Sequence, residues 1–471
     1  MSKSFKALAF KKELLLLCFI GSSAQAVETS SSYFSMPSAE RANVFGQVRF
    51  ETLQYLTTLS DAPELTYSQF LSGKLTATSY VPDPGRINWV VDLSAGTFFS
   101  LKQSYYSLQE LYISTHLDER AQVSLGRKKY NWSEIDRVWA FGLWQPRYNI
   151  DALRPEDNGL TGLFFDYKTD QFQFLAFASS LFVPTVGPEI REEDGQLTAD
   201  NRWYRPPSKQ SGKISLSYDL EVGDVMELLR QESYALQIRL GREDFGPWAA
   251  FSGGRKPVND VAFQRCLRCV SANSEAEFIV GPRVTHHQVF SMDVGYNWES
   301  IKTSFSYYED DPESLLPPMD YAVQKYDPIK MYAAQLEFSM RSFFDRTIQI
   351  QAAYLRSEGG EITDIESEGQ ASEITLFTDR YRFSNVASLS FLGELTSIYS
   401  RPLVSKVEFI REFDQEGSIL GLELQYQWNR AWSYIFGFDA LTVDDSSSTS
   451  DSFINTYRAN DRVYAGASYV F

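Results

Sequence analysis

The chain has 471 residues, a formal net charge of −17 and a mean hydropathy of −0.29. It carries no basic excess of the kind a nucleic-acid footprint needs. Past Ile20 no run of about 18 apolar residues offers a helix that could span a membrane.

The first 26 residues, MSKSFKALAFKKELLLLCFIGSSAQA, place Lys3, Lys6, Lys11 and Lys12 ahead of the apolar run Leu14 to Ile20. They close on Ala24-Gln25-Ala26, small residues before a cut, so 1–26 is predicted to be a cleavable secretory signal. The apolar run is shorter than the roughly 20 residues of a spanning helix. Cys18 lacks the small neighbours of a lipoprotein cysteine. Residues 27–43 are polar and are expected to form a periplasmic lead-in to a folded body, 44–471. Residues 1–26 hold four lysines and one glutamate, so the remainder has 40 basic and 60 acidic residues, a net charge of −20.

From residue 44 onward apolar and polar residues alternate. In YALQIRLG, Tyr234, Leu236, Ile238 and Leu240 oppose Gln237 and Arg239. In SIKTSFSYY, Ile301, Thr303, Phe305 and Tyr307 oppose Lys302, Ser304 and Ser306. In LGLELQYQW, Leu420, Leu422, Leu424, Tyr426 and Trp428 oppose Gly421, Glu423, Gln425 and Gln427. Period two places such sets on opposite faces of a strand. The pattern predicts strands at 44–53, 68–80, 87–99, 107–117, 121–130, 159–168, 171–183, 211–220 and 232–253. It continues with 284–297, 300–309, 330–341, 346–357, 386–399, 403–413, 418–429, 431–442 and 461–471. GREDFGPWAAFSGG fits one long bulged strand or a hairpin, and 374–383 fits a further strand or a loop. About 18 strands are therefore expected, within 16–20.

Connections alternate between tight turns (DER, TD, SRP, NR) and long loops (131–158, 184–210, 254–283, 310–329, 358–385, 443–460). That is the plan of a bacterial transmembrane barrel, with short periplasmic turns and long extracellular loops. Aromatic residues at 15%, with 34 Phe and 27 Tyr, suit the girdles of such a barrel. A two-domain sandwich would need a Pro/Gly/Ser-rich boundary and a propeller would need repeating blades. The chain has neither. The expected fold is thus all-β, a single transmembrane antiparallel β-barrel with apolar residues toward lipid and polar residues toward a lumen. The lumen wall is expected to carry Arg49, Arg239, Lys302 and Lys406 with Glu51, Asp92, Glu110, Glu337, Glu408 and Glu423. Such charges are tolerable beside water and costly beside lipid.

The loop 131–158 is too apolar to stand in water, with Trp132, Trp139, Trp144, Phe141 and Leu143. It is predicted to fold into the barrel mouth as a constriction, with Ser133 as a helix cap. There Arg127, Lys128, Lys129, Arg137, Arg147 and Arg154 would favour anions. The tryptophans would offer aromatic faces to a sliding sugar. A second reading makes the tryptophans the loop's own small core and pairs the arginines with Glu134, Asp136, Asp151, Glu156 and Asp157. Acidic stretches at 309–314 and 357–373 are expected to be solvated loop tips. Cys266 and Cys269, in CLRC, are expected to form a disulfide in an oxidising compartment. No spacing implies a cofactor or metal. His116, Ser114 and Glu110 share one strand face only as strand neighbours do, so no enzyme is expected.

The chain ends RVYAGASYVF. Its alternating strand with Tyr469 and a final Phe471 resembles the assembly signal of bacterial outer-membrane barrels. The stretch GRKKYNW, a long loop and RPEDNGLTGLFFDY resemble the outer-membrane channels related to alginate exporters. The matching residues are Gly126, Arg127, Trp132, Arg154, Pro155 and Asp157, with Glu156 as a departure. The resemblance implies an 18-stranded conduit with an arginine-lined pore for an anionic polysaccharide. The acid excess of this chain weighs against that cargo. The expectation is an outer-membrane channel for diffusion or export of small hydrophilic solutes or oligosaccharides. The alternative is a non-conducting barrel acting through its outer loops as adhesin, receptor or structural surface protein. Expected partners are outer-membrane lipid, lipopolysaccharide and the barrel-assembly machinery, with monomer and homo-oligomer both compatible.

Overall fold

The computed structural model describes residues 43–471 except 60–64, 80–82, 101–102, 206–209, 212–213, 222, 243, 270–274, 315, 319–320, 342–345, 367–370, 373–379 and 445–451. The predicted signal, the lead-in up to residue 42 and most of 374–383 lie outside the described residues.

Eighteen strands form one closed antiparallel barrel. They are β1 (Asn43–Tyr55), β2 (Tyr67–Ser79), β3 (Ile87–Phe98), β4 (Gln103–His116), β5 (Ala121–Lys128) and β6 (Leu160–Lys168). Next come β7 (Phe172–Ser179), β8 (Ser233–Gly241), β9 (Gly246–Pro257), β10 (His286–Asn297), β11 (Ile301–Pro312) and β12 (Ile329–Arg341). The last are β13 (Thr347–Gly359), β14 (Asn385–Ile398), β15 (Arg401–Glu412), β16 (Gly417–Gln427), β17 (Trp432–Val443) and β18 (Arg462–Val470). Each strand pairs with its successor, and β18 pairs with β1 to close the ring. Phe471 completes the seam: its N–H and C=O each bond Gly46 at 2.9 Å, and its ring lies where a Cβ on Gly46 would stand.

The number eighteen was legible, though one predicted strand was misplaced. Segment 232–253 is two barrel strands, β8 and β9, the hairpin that was one of the two readings of GREDFGPWAAFSGG. Segment 211–220 is not in the barrel: Ile214–Leu220 pairs in parallel with Glu275–Arg283 in a separate seven-stranded sheet. That sheet is knitted from the long connections 180–232, 258–285, 313–328 and 360–384. A strand above the barrel alternates as well as one within it.

The same sheet corrects the disulfide expectation. Cys266 and Cys269 lie three positions apart on one strand, Ala262–Cys269. An extended chain then separates their Cα atoms by about 10 Å, beyond the roughly 7 Å a disulfide can span. Cys266 carries a free thiol.

The barrel is apolar outside. On β8, Tyr234, Leu236, Ile238 and Leu240 are exposed, while Ser233, Ala235 and Gln237 are buried within. On β1, Val48 and Phe50 face out and Glu51 faces in. Aromatic rings cluster at the tight-turn end, with Tyr296 on Trp298, Trp428 by Tyr434, and Trp432 by Tyr469. A second cluster, Phe290, Tyr307 and Tyr332, lies on the outer face toward the loop end. Two aromatic belts around an apolar band are what a lipid bilayer selects. No helix among the described residues is long and apolar enough to cross a membrane.

Candidate functional site

The connection 129–159 enters the barrel and divides its lumen. Ser133 caps α1 (Glu134–Trp139): its backbone is extended, and its Oγ accepts from the Ile135 N–H at 3.2 Å. Ala140, at φ 56°, ends the helix. The half-buried Asp136 carboxylate then accepts the N–H groups of Leu143 and Trp144, both at 2.9 Å, which folds the chain back on the helix. Burial raises the Asp136 pKa despite those bonds and the nearby Arg147.

One side of this loop is dry. Trp132, Ile135, Trp139, Leu143 and Trp144 pack against Phe164, Phe177, Val289, Tyr308 and Met331 of the wall. Trp132 stacks on Trp144 with ring centroids 5.1 Å apart. The Trp132 carbonyl accepts from Gln237 Nε2 (3.3 Å), Ser252 Oγ (2.8 Å) and Ser291 Oγ (3.2 Å), so β8, β9 and β10 all hold it. Trp144 Nε1 donates to Ser291 Oγ at 3.3 Å. Phe383, Trp203 and Phe453 from three other long connections extend the same core. Phe453 belongs to α2 (Phe453–Tyr457).

The other side is wet. Between the loop and the arc β15–β18 and β1–β4 lies a passage with a cavity volume of about 180 Å³. Its charged lining is Arg49, Lys74, Arg154 and Lys406 with Glu51, Asp151, Glu156, Glu408, Glu423 and Asp439. Arg49 bonds Glu51 at 2.5 Å and Glu423 at 3.3 Å. Arg154 reaches from the loop to Glu51 (3.3 Å) and Asp439 (3.8 Å), with its guanidinium 4.2 Å from the Tyr464 ring centre. Burial would lower the Arg154 pKa, but Glu51 and Asp439 hold it above the usual arginine value. Asp151 of the loop bonds Arg462 of β18 at 2.6 Å. Aromatic rings follow one another along the wall: Phe98 on Phe70 (4.4 Å), Phe70 on Tyr105 (6.0 Å) and Tyr105 by Tyr148 of the loop (4.9 Å). Gly96 makes room for this track, since a Cβ there would stand 2.4 Å from the Tyr105 ring.

The residues anticipated for a constriction are therefore dispersed. Arg154 lines the passage. Lys129 lies beside it, its Nζ on Gln109 Oε1 (2.6 Å) and near Asp92 (3.9 Å), and its N–H on Glu110 Oε1 (2.9 Å). Arg147 is enclosed within the loop, bonded to Asp157 at 2.6 Å and to the Ala140 carbonyl. Arg127 is buried and donates to the Gly159 carbonyl at 3.1 Å. Lys128 sits between the rings of Tyr112 and Tyr130. Arg137 points to the far wall, pairing with Glu134 (2.6 Å) and approaching Glu337 (3.9 Å). Burial would raise the Glu134 pKa, but Arg137, Gln335 and Asn131 together hold it below the usual carboxylate range. Trp132, Trp139 and Trp144, at most 4% exposed, do not face a passing solute. They are the dry mass that seats the loop, since indole rings gain more from burial than from a wet wall.

Of the anticipated wall residues, Arg49, Glu51, Lys406, Glu408 and Glu423 line the passage, and Asp92 and Glu110 lie beside it through Lys129. Lys302 pairs with Glu337 (3.4 Å) and Arg239 covers the Trp248 ring (4.6 Å), both on the filled side. Sequence reasoning missed Lys74, Asp439, Arg462 and the aromatic track. The signal was present in part: Arg462 and Tyr464 share the polar face of the last strand.

No protein-family model matches the chain, and no curated protein matches it. The alginate-exporter likeness thus rests on the residues quoted for it alone. Solved structures similar to the chain include a loop-deletion mutant of OmpT, an outer membrane protein of Vibrio cholerae. It is 12% identical, with 92% of this chain and 99% of that chain covered and a TM-score of 0.39. Another is OmpF of Salmonella typhi in complex with daunomycin, 8% identical over 91% of this chain and 97% of that one, with a TM-score of 0.40.

Proposed function

We propose that the protein is an outer-membrane channel through which small hydrophilic solutes or short saccharides diffuse, by way of the passage between the inward loop and the arc β15–β4. In this reading residues 1–26 are a secretory signal, 27–43 a periplasmic lead-in, and lipid and lipopolysaccharide surround the barrel. The carrying observation is the passage itself, a cavity of about 180 Å³ with charged and aromatic walls, beside the apolar core that seats the loop. Charged side chains of both signs along one path indicate water there, because burial without water would be costly. Aromatic faces beside hydrogen-bonding groups suit a solute with C–H and O–H surfaces.

Anion preference has no support in the lining. Six carboxylates stand against four basic side chains, and each of the four has a carboxylate within 3.3 Å. A wall with excess acid favours cations. The test is single-channel recording of the refolded barrel in a planar bilayer under a salt gradient. Steady ohmic current with weak cation preference supports the reading. A second reading is favoured by one observation, the seven-stranded sheet knitted from four outer connections. A barrel that carries no current would make that sheet, rather than the passage, the working part.

A further inference from the structure

We infer that the passage has a binding subsite for organic cations, ammonium-bearing solutes with an apolar face, and that Glu156 is its recognition carboxylate. The inference rests on the channel reading and specifies its solute. Glu156 lines the passage, yet it is only 4% exposed and its Oε2 has no hydrogen-bond partner. The nearby lysines do not satisfy it: Lys74 is 3.3 Å from Asp92, and Lys129 bonds Gln109 at 2.6 Å. An unfilled acceptor of this kind is costly in an empty site and is stabilised by a donor that brings its own charge.

The surroundings state what sort of donor fits. Glu156 is the register partner of Tyr148, whose ring lies 4.9 Å from Tyr105, and the stacked Phe70 and Phe98 continue from there. Ring faces attract cations and also bury hydrocarbon. An aromatic or alkyl amine meets both demands at once, its ammonium on Glu156 and its apolar part on the rings. A carboxylate or phosphate would meet an excess of acid.

The groups facing Glu156 are Lys74 on β2, Asp92 on β3, Tyr105 on β4, and Lys129, Tyr148 and Asp151 on the loop. Burial raises the Glu156 pKa well above the usual carboxylate range, against the pull of Lys74 and Lys129. A bound ammonium therefore expels the proton held there, and affinity rises with pH until the empty carboxyl is itself ionised.

The probes are benzylammonium, benzyl alcohol and benzoate, added to the barrel conducting in a planar bilayer. Benzylammonium is expected to block most strongly, more so at pH 8 than at pH 5. Glu156→Gln should weaken that block about tenfold. Glu309→Gln, the same charge change on a side chain paired with Lys330 away from the passage, should not. Equal block by benzoate, or block indifferent to Glu156→Gln, overturns the inference. A silent barrel overturns the channel reading alone. Calorimetry of benzylammonium with the same folded barrel in detergent then decides the subsite. Binding with proton uptake by the buffer, lost in Glu156→Gln, supports it, and absence of binding sinks it.

Discussion

The two sides of the loop 129–159 are held by different physics. Against β6–β13 it is seated by indole rings and by hydrogen bonds to one buried carbonyl, with little water to compete. Against β15–β4 it is held by Arg154 and Asp151, which bridge to carboxylates and to Arg462 across a wet gap. Dry packing fixes position; the ion pairs set the field that a solute meets. A single loop thereby closes one part of the lumen and lines the other.

The contrast breaks first on the dry side. Trp144→Ala removes a fully buried indole stacked on Trp132, and large-to-small changes of this kind cost about 3–5 kcal/mol. The loop should lose its seat. Single-channel records should show larger and noisier currents, and urea unfolding of the barrel should shift to lower concentration. An unchanged current would mean that the tryptophan core does not hold the constriction.

How much of this was legible in the sequence follows from the range of the signal. Period-two alternation depends on neighbours in one strand, so β8 and β11 could be read with the correct face outward. The same locality misplaced 211–220, whose alternation serves the outer sheet instead of the wall. Ser133 was readable as a cap because capping spans only a few residues. Which of Arg127, Arg137, Arg147 and Arg154 meets the passage depends on where the loop lies against strands hundreds of residues away, as in Arg154 to Asp439. Phe70, Phe98 and Tyr105 become a track only when β2, β3 and β4 are paired. Glu156 stood out in the chain as the residue interrupting Pro155 and Asp157 and as one of five acids open to pairing with the loop's arginines.

A smaller effect tests the wet wall. Gly96→Ala places a methyl group 2.4 Å from the Tyr105 ring and 2.8 Å from the Phe70 ring. Overpacking of this kind costs about 1–3 kcal/mol, and the ring has only the passage to move into. Conductance should fall while ion preference stays. Gly73→Ala is the matched control, since its nearest neighbour is a carbonyl oxygen 3.9 Å away. Equal currents from the two variants would remove the aromatic track from the conducting path.

Arg154→Ala should cost less, about 1 kcal/mol, because neither carboxylate it pairs with is left without a partner. Glu51 keeps Arg49 and Asp439 keeps Arg462. The loop stays seated by its dry side, so the unfolding midpoint should barely move. The reversal potential under a salt gradient should shift toward cations, since a positive charge has left a wall already in acid excess. A collapse of stability instead would show that the ion pairs, not the indoles, carry the loop.

The smallest effect is on stability against pH, at Glu156. Its folded pKa is raised by burial, so the folded state binds the proton more tightly than the unfolded one. The stability this confers is fully present below the unfolded value, about 4.3, and is lost as pH rises through the folded value. Glu156→Gln keeps the shape and removes the titration. The variant should therefore be slightly more stable than the parent at pH 8 and should show a flatter stability profile above about pH 4. Chemical unfolding at a series of pH values reads this directly. A parent profile that rises over that window would mean that Glu156 is ionised and paired in the empty barrel. The wet side would then hold its loop by one more salt bridge.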